Sequence, residues 1–235
     1  MNDKVFDSFT GAVADIPDGA SIFISGFTEP GTPHNLLRAL WEQGAKDLTI
    51  IANTANGSGQ EELVNVARLV AERRVRKVIL AFTAGTHPSR PNVLESLHEA
   101  GQIEAEIVAQ GTLAERMRAA GAGIPAFYTP AAVGTELAEA REQRVFNGRT
   151  YLMEEALAAD YAFIRAWQCD GFGNTRYRLA QRNFGPLMAM AARCAIVEAE
   201  EVAPTGSLEA DEVHTPGIFV QRVVEIPPSP AIASA

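Results

Sequence analysis

Along the chain, short apolar runs alternate with stretches whose apolar residues recur every three or four positions. Residues 20–24, 48–52 and 77–82 are runs dominated by Ile, Leu, Val and Phe. Continuous runs of this kind fit strands buried on both faces of a sheet. Residues 5–13, 33–43, 61–70, 92–100 and 113–120 carry the helical period instead, and predict helices. Gly44, Gly101 and Gly121 follow three of them, where a helix commonly ends on a glycine. Residues 103–108 alternate apolar and polar side chains, as a half-buried strand does. In the second half, strands are expected over 162–167 and 195–197, with a helix over 186–192. A last apolar segment, 218–224, closes the fold. The alternation predicts an α/β protein: an open, mostly parallel sheet with helices on both faces. No repeat or internal boundary interrupts residues 1–226, which read as one domain; 227–235, with three prolines and small residues, has linker composition and is expected to be disordered.

Composition removes several classes of function. A formal charge of -9 over 235 residues argues against nucleic acid as a partner. It leaves room for an anionic substrate, because local loops and a partner subunit set the local field. Cys169 and Cys194 are the only cysteines, with neither metal-ligand nor redox spacing. The four histidines, His34, His87, His98 and His214, contain no pair four apart, so no zinc site is expected. The first residues lack the basic and apolar regions of a signal peptide. No apolar run approaches the roughly 20 residues of a membrane span. A cytoplasmic protein without membrane contact is the expectation.

The densest signal lies in Asp18-Gly-Ala-Ser-Ile-Phe-Ile-Ser-Gly-Phe-Thr-Glu-Pro-Gly-Thr-Pro33. A strand runs into a loop where Gly26 and Gly31 permit conformations closed to other residues. Thr32 is a candidate N-cap and Pro33 fits a first helical turn. Unpaired N–H groups at such a helix start attract negative charge. A second strand-to-helix turn holds Gln110, with Thr112 and Glu115 at capping-box spacing, so Thr112 is the expected N-cap. Gln110 then stands at the carboxyl end of a strand, where ligands collect in open α/β sheets. Its neutral amide could donate to a carboxylate or carbonyl, or simply tie two loops together. Asn53 and Thr54 follow a third strand end, either as turn-formers or facing the cleft. His87 and Arg90 could meet an anion or be solvated. Glu29 is read as exposed, Arg178 and Arg182 as structural ion-pair residues, and Arg116 and Arg118 as solvated or at an interface.

The segment from Asp18 resembles the first signature of the family I coenzyme A transferases. That signature is Asp/Asn-Gly, two variable residues, three apolar residues, Gly-Gly-Phe, three variable residues, Gly, one variable residue and Pro. It is matched at Asp18, Gly19, Ile22, Phe23, Ile24, Gly26, Phe27, Gly31 and Pro33. Ser25 stands where the family has the first Gly of its pair. Other blocks resemble the family in order: Gln110-Gly-Thr-Leu-Ala-Glu-Arg116, residues 121–129, Gly134-Thr135, residues 162–166, Gly173-Asn174, Arg182-Asn-Phe184, residues 188–192 and residues 215–222. The family's Asn-Asn-Ala-Gly is similar to Asn53-Thr-Ala-Asn-Gly57, with Thr54 in place of the second Asn.

The resemblance covers nearly the whole chain and points to the A (alpha) subunit of the 3-oxoacid or 3-oxoadipate type. It implies the fold shared by CoA-transferases, ribose-phosphate isomerases and glucosamine-phosphate deaminases. It also implies a substrate pocket built by Gln110, Asn53, Thr54, Gly26, Phe27 and Gly31. The family's nucleophilic glutamate lies in a Ser-Glu-Asn-Gly-type motif of the B (beta) subunit, and no Glu-Asn dipeptide occurs in this chain. The implied enzyme is therefore inactive without a B partner and plausible as an α2β2 assembly, with no catalytic residue here. A CoA thioester is its substrate, with no permanent cofactor, and small carboxylic acids exchange the CoA. An acetate or butyrate type, an isomerase and a non-catalytic binding module of the same fold are the competing readings.

Overall fold

Ile22, Phe23 and Ile24 sit on adjacent positions of one strand yet are all buried, because helices cover the sheet on both sides. The computed structural model describes residues 4–55, 63–83, 93–139 and 141–227. In chain order the elements are α1 (Phe9–Val13), β1 (Ser21–Ile24), α2 (His34–Gln43), β2 (Leu48–Ala52), α3 (Val66–Ala71), β3 (Val75–Leu80), α4 (Val93–Glu99), β4 (Glu104–Ile107) and α5 (Gln110–Gly121). There follow β5 (Ala126–Thr129), β6 (Gln143–Phe146), β7 (Arg149–Glu155), β8 (Ala159–Asp170), β9 (Thr175–Arg176), α6 (Gly185–Ala191), β10 (Ala192–Ala203) and β11 (Arg222–Glu225). The main sheet has the order β11-β10-β8-β1-β2-β3-β4, all parallel. The short β9 pairs antiparallel with β8.

Alternation along the strands sorts two cores. Ile22, Ile24, Ile50 and Val78 pack with Val13, Leu36, Leu40, Leu69 and Leu94, from α1 to α4. Phe23, Ile51, Ile79 and Ile164 pack on the opposite face with Leu113 and Met117 of α5 and Met188 of α6. The predicted α/β class, with helices on both faces, is the observed one.

Several boundaries move, each for a local reason. The helix expected over 5–13 begins only at Phe9, because Ser8 caps it and Val5 pairs with Val223. The helix expected over 61–70 begins at Val66, where the Asn65 side chain accepts from the Arg68 amide. Residues 61 and 62 lie outside the described residues, as do 228–235 of the expected disordered tail. Gly121 is still helical, and the left-handed residue is Gly123, at φ 71°. The segment 218–224 divides into a 3₁₀ turn, Gly217–Phe219, and β11.

The sequence pattern missed a small antiparallel sheet of order β5-β7-β6. Every residue of β6 is exposed and every residue of β5 is half-buried, so neither shows an apolar face. Its inner side is fixed by charge. Glu154, buried, pairs with Arg141 and lies 3.9 Å from Arg116. Its outer side is an edge-to-face cluster of Tyr128, Phe146 and Tyr151.

Candidate active site at the carboxyl ends of the strands

Three strand ends converge where β1, β2 and β4 give way to loops. After β1 the chain turns through 26–31, with Gly26 at φ 125° and Gly31 at φ 81°. A Cβ on Gly26 would collide with the Thr32 hydroxyl, and one on Gly31 with the Asn183 amide. Both positions therefore need glycine for space as well as for conformation. Ser25 braces the turn: its hydroxyl donates to the Gly31 carbonyl at 2.7 Å and accepts from the Arg165 amide at 3.2 Å. Asn183 reaches the same loop from the far half of the chain, accepting from the Gly26 amide at 3.1 Å and donating to the Pro30 carbonyl at 3.2 Å.

Thr32 does not cap α2. Its hydroxyl donates instead to the Thr28 carbonyl at 3.0 Å, and Pro33, placed just before the first turn, is itself the N-cap residue. The cap comes from Glu198 on β10, which is wholly buried. One of its carboxylate oxygens accepts from the amides of Asn35 at 3.0 Å and Leu36 at 2.9 Å; the other takes Arg165 at 3.2 Å. The first-turn amides that the sequence offers to an anion are thus taken by an anion of the protein itself.

The start of α5 differs. Thr112 is inside the helix, not its N-cap; Ala109 holds that position without a side-chain bond. Glu115 pairs with Arg118 at 2.7 Å rather than closing a capping box. The helix begins at Gln110, whose exposed side chain donates from Nε2 to Asn53 Oδ1 at 2.7 Å. Asn53 is 1% exposed, and its Nδ2 finds no hydrogen-bond partner among the described residues. A buried donor without a partner costs about 1–3 kcal/mol, a cost usually seen where a ligand or water completes the set.

Asn53 lines a small cleft with Gly26, Thr28, Glu29, Thr32 and Thr54; its enclosed part, about 20 Å³, has room for about one water-sized group. Gly26 and Thr54 thus lie at the cleft wall. Phe27 is 48% exposed and Gly31 is buried behind the turn; neither lines the cleft. Glu29, read as exposed, is half-buried and stands 3.1 Å from His34 Nε2. The reason is the tight turn, which folds its side chain back over the start of α2.

Arg116 is also misjudged by its local pattern: it is buried and bonds Glu106 at 2.7 Å and the Glu155 carbonyl at 2.9 Å. Arg118 is exposed. Arg178 pairs with Glu200 at 3.4 Å and lies over the Trp167 ring, the structural role expected for it. The stretch joining it to Arg182 is 3₁₀ rather than α-helical. His87 and Arg90 lie outside the described residues. Burial pushes the Cys169 thiol up to about 12, which leaves it inert as a nucleophile. Among the described residues no group of His, Cys, Asp and Glu is placed to hold a metal ion. No helix among them is long and apolar enough to cross a membrane.

Spacing in the sequence does not mark Glu198 or Asn183 as site residues. Asn183 stands in a block that carries the family resemblance, which is the one signal pointing to it. Nothing around Glu198 announces a cap for a helix 162 residues earlier.

Known proteins can now be set beside this geometry. A family model for "Coenzyme A transferase" matches residues 6–226. The A subunit of the 3-oxoadipate CoA-transferase of Pseudomonas putida is 46% identical over 226 residues, covering 96% of this chain and 95% of that protein. The protein of the same name from Acinetobacter baylyi is 44% identical over the full length of both. The A subunit of a probable succinyl-CoA:3-ketoacid coenzyme A transferase of Bacillus subtilis is 41% identical over 94% of this chain and 89% of its own. Among solved structures, glutaconate coenzyme A-transferase from Acidaminococcus fermentans superposes with a TM-score of 0.81 at 22% identity, over 95% of this chain and 76% of that one. An acyl-CoA transferase from Escherichia coli O157:H7, solved as a thioester complex with CoA, gives 0.79 at 23% identity; 99% of this chain covers 49% of that one, so this chain spans about half its length. At these identities the two structures speak for the fold alone, whereas the sequence relatives and the family match speak for descent: the chain belongs to the coenzyme A transferase family, among its A subunits.

Proposed function

We propose that this chain is the acid-binding half of a two-subunit enzyme that moves CoA between succinyl-CoA and a 3-oxoacid such as 3-oxoadipate or acetoacetate. The observation that carries the reading is Asn53 Nδ2, buried in the cleft, oriented by Gln110 and without a hydrogen-bond partner among the described residues. A neutral amide donor suits a substrate carboxylate or the oxyanion of an acyl-transfer intermediate. Thr54, Gly26 and Thr28 complete the wall, while Phe27 and Gly31 shape the turn around it. Glu29 is the only carboxylate among the described lining residues and faces His34. Such a cleft suits an acid, and its one carboxylate among the described lining residues is engaged with His34.

The nucleophile then comes from a B subunit, in an α2β2 assembly in the cytoplasm. Its carboxylate attacks the acyl-CoA carbonyl, forming an acyl anhydride and expelling the CoA thiolate. The thiolate attacks the enzyme carbonyl of the anhydride, releasing the acid and leaving an enzyme–CoA thioester. The acceptor acid reverses the sequence, so no oxidant or external base is consumed. The A-subunit names of the relatives agree with this division of labour.

Intact mass of the complex purified from its native source, treated with 3-oxoacyl-CoA and then borohydride, tests the proposal. A CoA-dependent change on a co-purifying second chain is expected. A change on this chain would move the nucleophile to it, with Glu29 the first suspect. A lone chain without an adduct would overturn the transferase reading.

A further inference from the structure

We infer that Asn183 is a positioning residue, whose amide sets where the 26–31 turn stands opposite Asn53. Asn183 is not part of the cleft lining. It sits behind the turn, between the 3₁₀ segment Leu179–Arg182 and α6, at φ 20° and ψ -118°, a backbone state few residues other than glycine adopt. Its side chain makes five bonds. Oδ1 accepts from the amides of Gly26 and Phe184 at 3.1 and 2.7 Å. Nδ2 donates to the carbonyls of Pro30, Gln181 and Ala180 at 3.2, 2.9 and 3.3 Å.

One planar amide therefore grips both ends of the turn, while its other bonds anchor it to its own segment. The Gly31 Cα leaves no room for a side chain against that amide. Within the turn itself the cross-links are the Phe27 amide to the Pro30 carbonyl, the Thr32 amide to the Glu29 carbonyl and the Thr32 hydroxyl to the Thr28 carbonyl; these close the turn but do not fix it to the sheet. Ser25 and Asn183 do that, from opposite ends of the sequence. Gly26, Thr28 and Glu29 form one wall of the cleft and Asn53 the other, so the setting of the turn sets the width. A small misplacement at such a site costs binding geometry far more than stability.

The inference rests on the functional reading above, and the two are separable. In the complex with its B subunit, Asn183→Gly removes the amide while suiting the unusual backbone; Asn183→Asp keeps the acceptor for Gly26 and loses the donor for Pro30. Asn183→Gly is expected to raise KM for acetoacetate or 3-oxoadipate about tenfold or more, with KM for succinyl-CoA little changed. Hydrogen exchange at residues 26–32 should quicken more than in β8 and β10, which register any general loss of stability. Asn183→Asp should fall between. Unchanged exchange in 26–32 would overturn the inference, and so would quickened exchange with an unchanged KM. A wild-type complex that transfers no CoA would sink the functional reading instead, and exchange in the same protein would still decide whether the amide holds the turn.

Discussion

Two helices begin at the carboxyl edge of the same sheet, and they end up with opposite roles. At α2, two first-turn amides are consumed by the buried Glu198 carboxylate. At α5, the N-cap is Ala109 with no side-chain bond, and Gln110 extends outward to orient Asn53. The first start is occupied by the protein's own Glu198 carboxyl group, which ties β10 to α2. The second has no side-chain cap, and its Gln110 orients Asn53, whose Nδ2 has no hydrogen-bond partner among the described residues. A glycine-rich turn before a helix does not by itself make a ligand site; what matters is whether the protein has already filled it.

Removing the internal anion should have the largest effect. Glu198→Ala leaves the Asn35 and Leu36 amides without their acceptor, while Arg165 keeps Glu200, and is expected to destabilise the fold by about 1–3 kcal/mol, read as a lowered denaturation midpoint. Wild-type stability would mean that α2 does not depend on this cap, and the contrast between the helices would collapse. At α5 the expectation is reversed. Gln110→Ala should lower the midpoint less than Glu198→Ala does and cut kcat/KM for transfer by about 10²–10³-fold; full activity would remove Gln110 from the site. Asn53→Ala sharpens the same point, because it deletes a buried donor that has no partner among the described residues: activity should fall more than stability does.

Thr54→Asn is a smaller change. It restores the family's second Asn at the cleft wall, and should shift the ratio of kcat/KM between 3-oxoadipate and acetoacetate by about tenfold or less. An unaltered ratio would place Thr54 outside the specificity determinants. The smallest effect concerns the frame that both helix starts share. Asp160 ties the beginning of β1 to β8, accepting from the Ser21 hydroxyl at 2.6 Å and amide at 3.0 Å. The Ser21 bonds, hydroxyl first, hold its carboxyl below the usual aspartate range. A depressed carboxylate contributes stability that is present above its unfolded value, about 3.9, and is lost as pH falls through the folded value. Asp160→Asn should therefore flatten the acid limb of stability below about pH 4, without altering the profile near neutrality. An unchanged acid limb would show that the tie carries no linkage.

Much of this was legible in the chain. The strand at 48–52 has the bounds expected of it, because a continuous apolar run between polar segments leaves little choice of register. The parallel layers followed from alternation of strand and helix, and the family from the blocks beginning at Asp18 and Gln110. The small sheet was not legible, since β6 is exposed throughout and Glu154 is buried by pairing with arginines rather than by hydrophobicity.

The sequence by itself determined the periods of the main sheet's strands and of the helices that cover it, the glycines at the turn after β1, the position of Gln110 beside a strand end and the lack of the family's Glu-Asn nucleophile motif. Tertiary structure alone decided which helix start is filled. Glu198 reaches Leu36 across 162 positions, and Asn183 reaches Gly26 across 157. Local patterns encode what neighbours within a turn or two do to one another. A hydrogen bond between such distant residues exists only after β8 has been laid between β1 and β10, and no spacing in the chain carries that information.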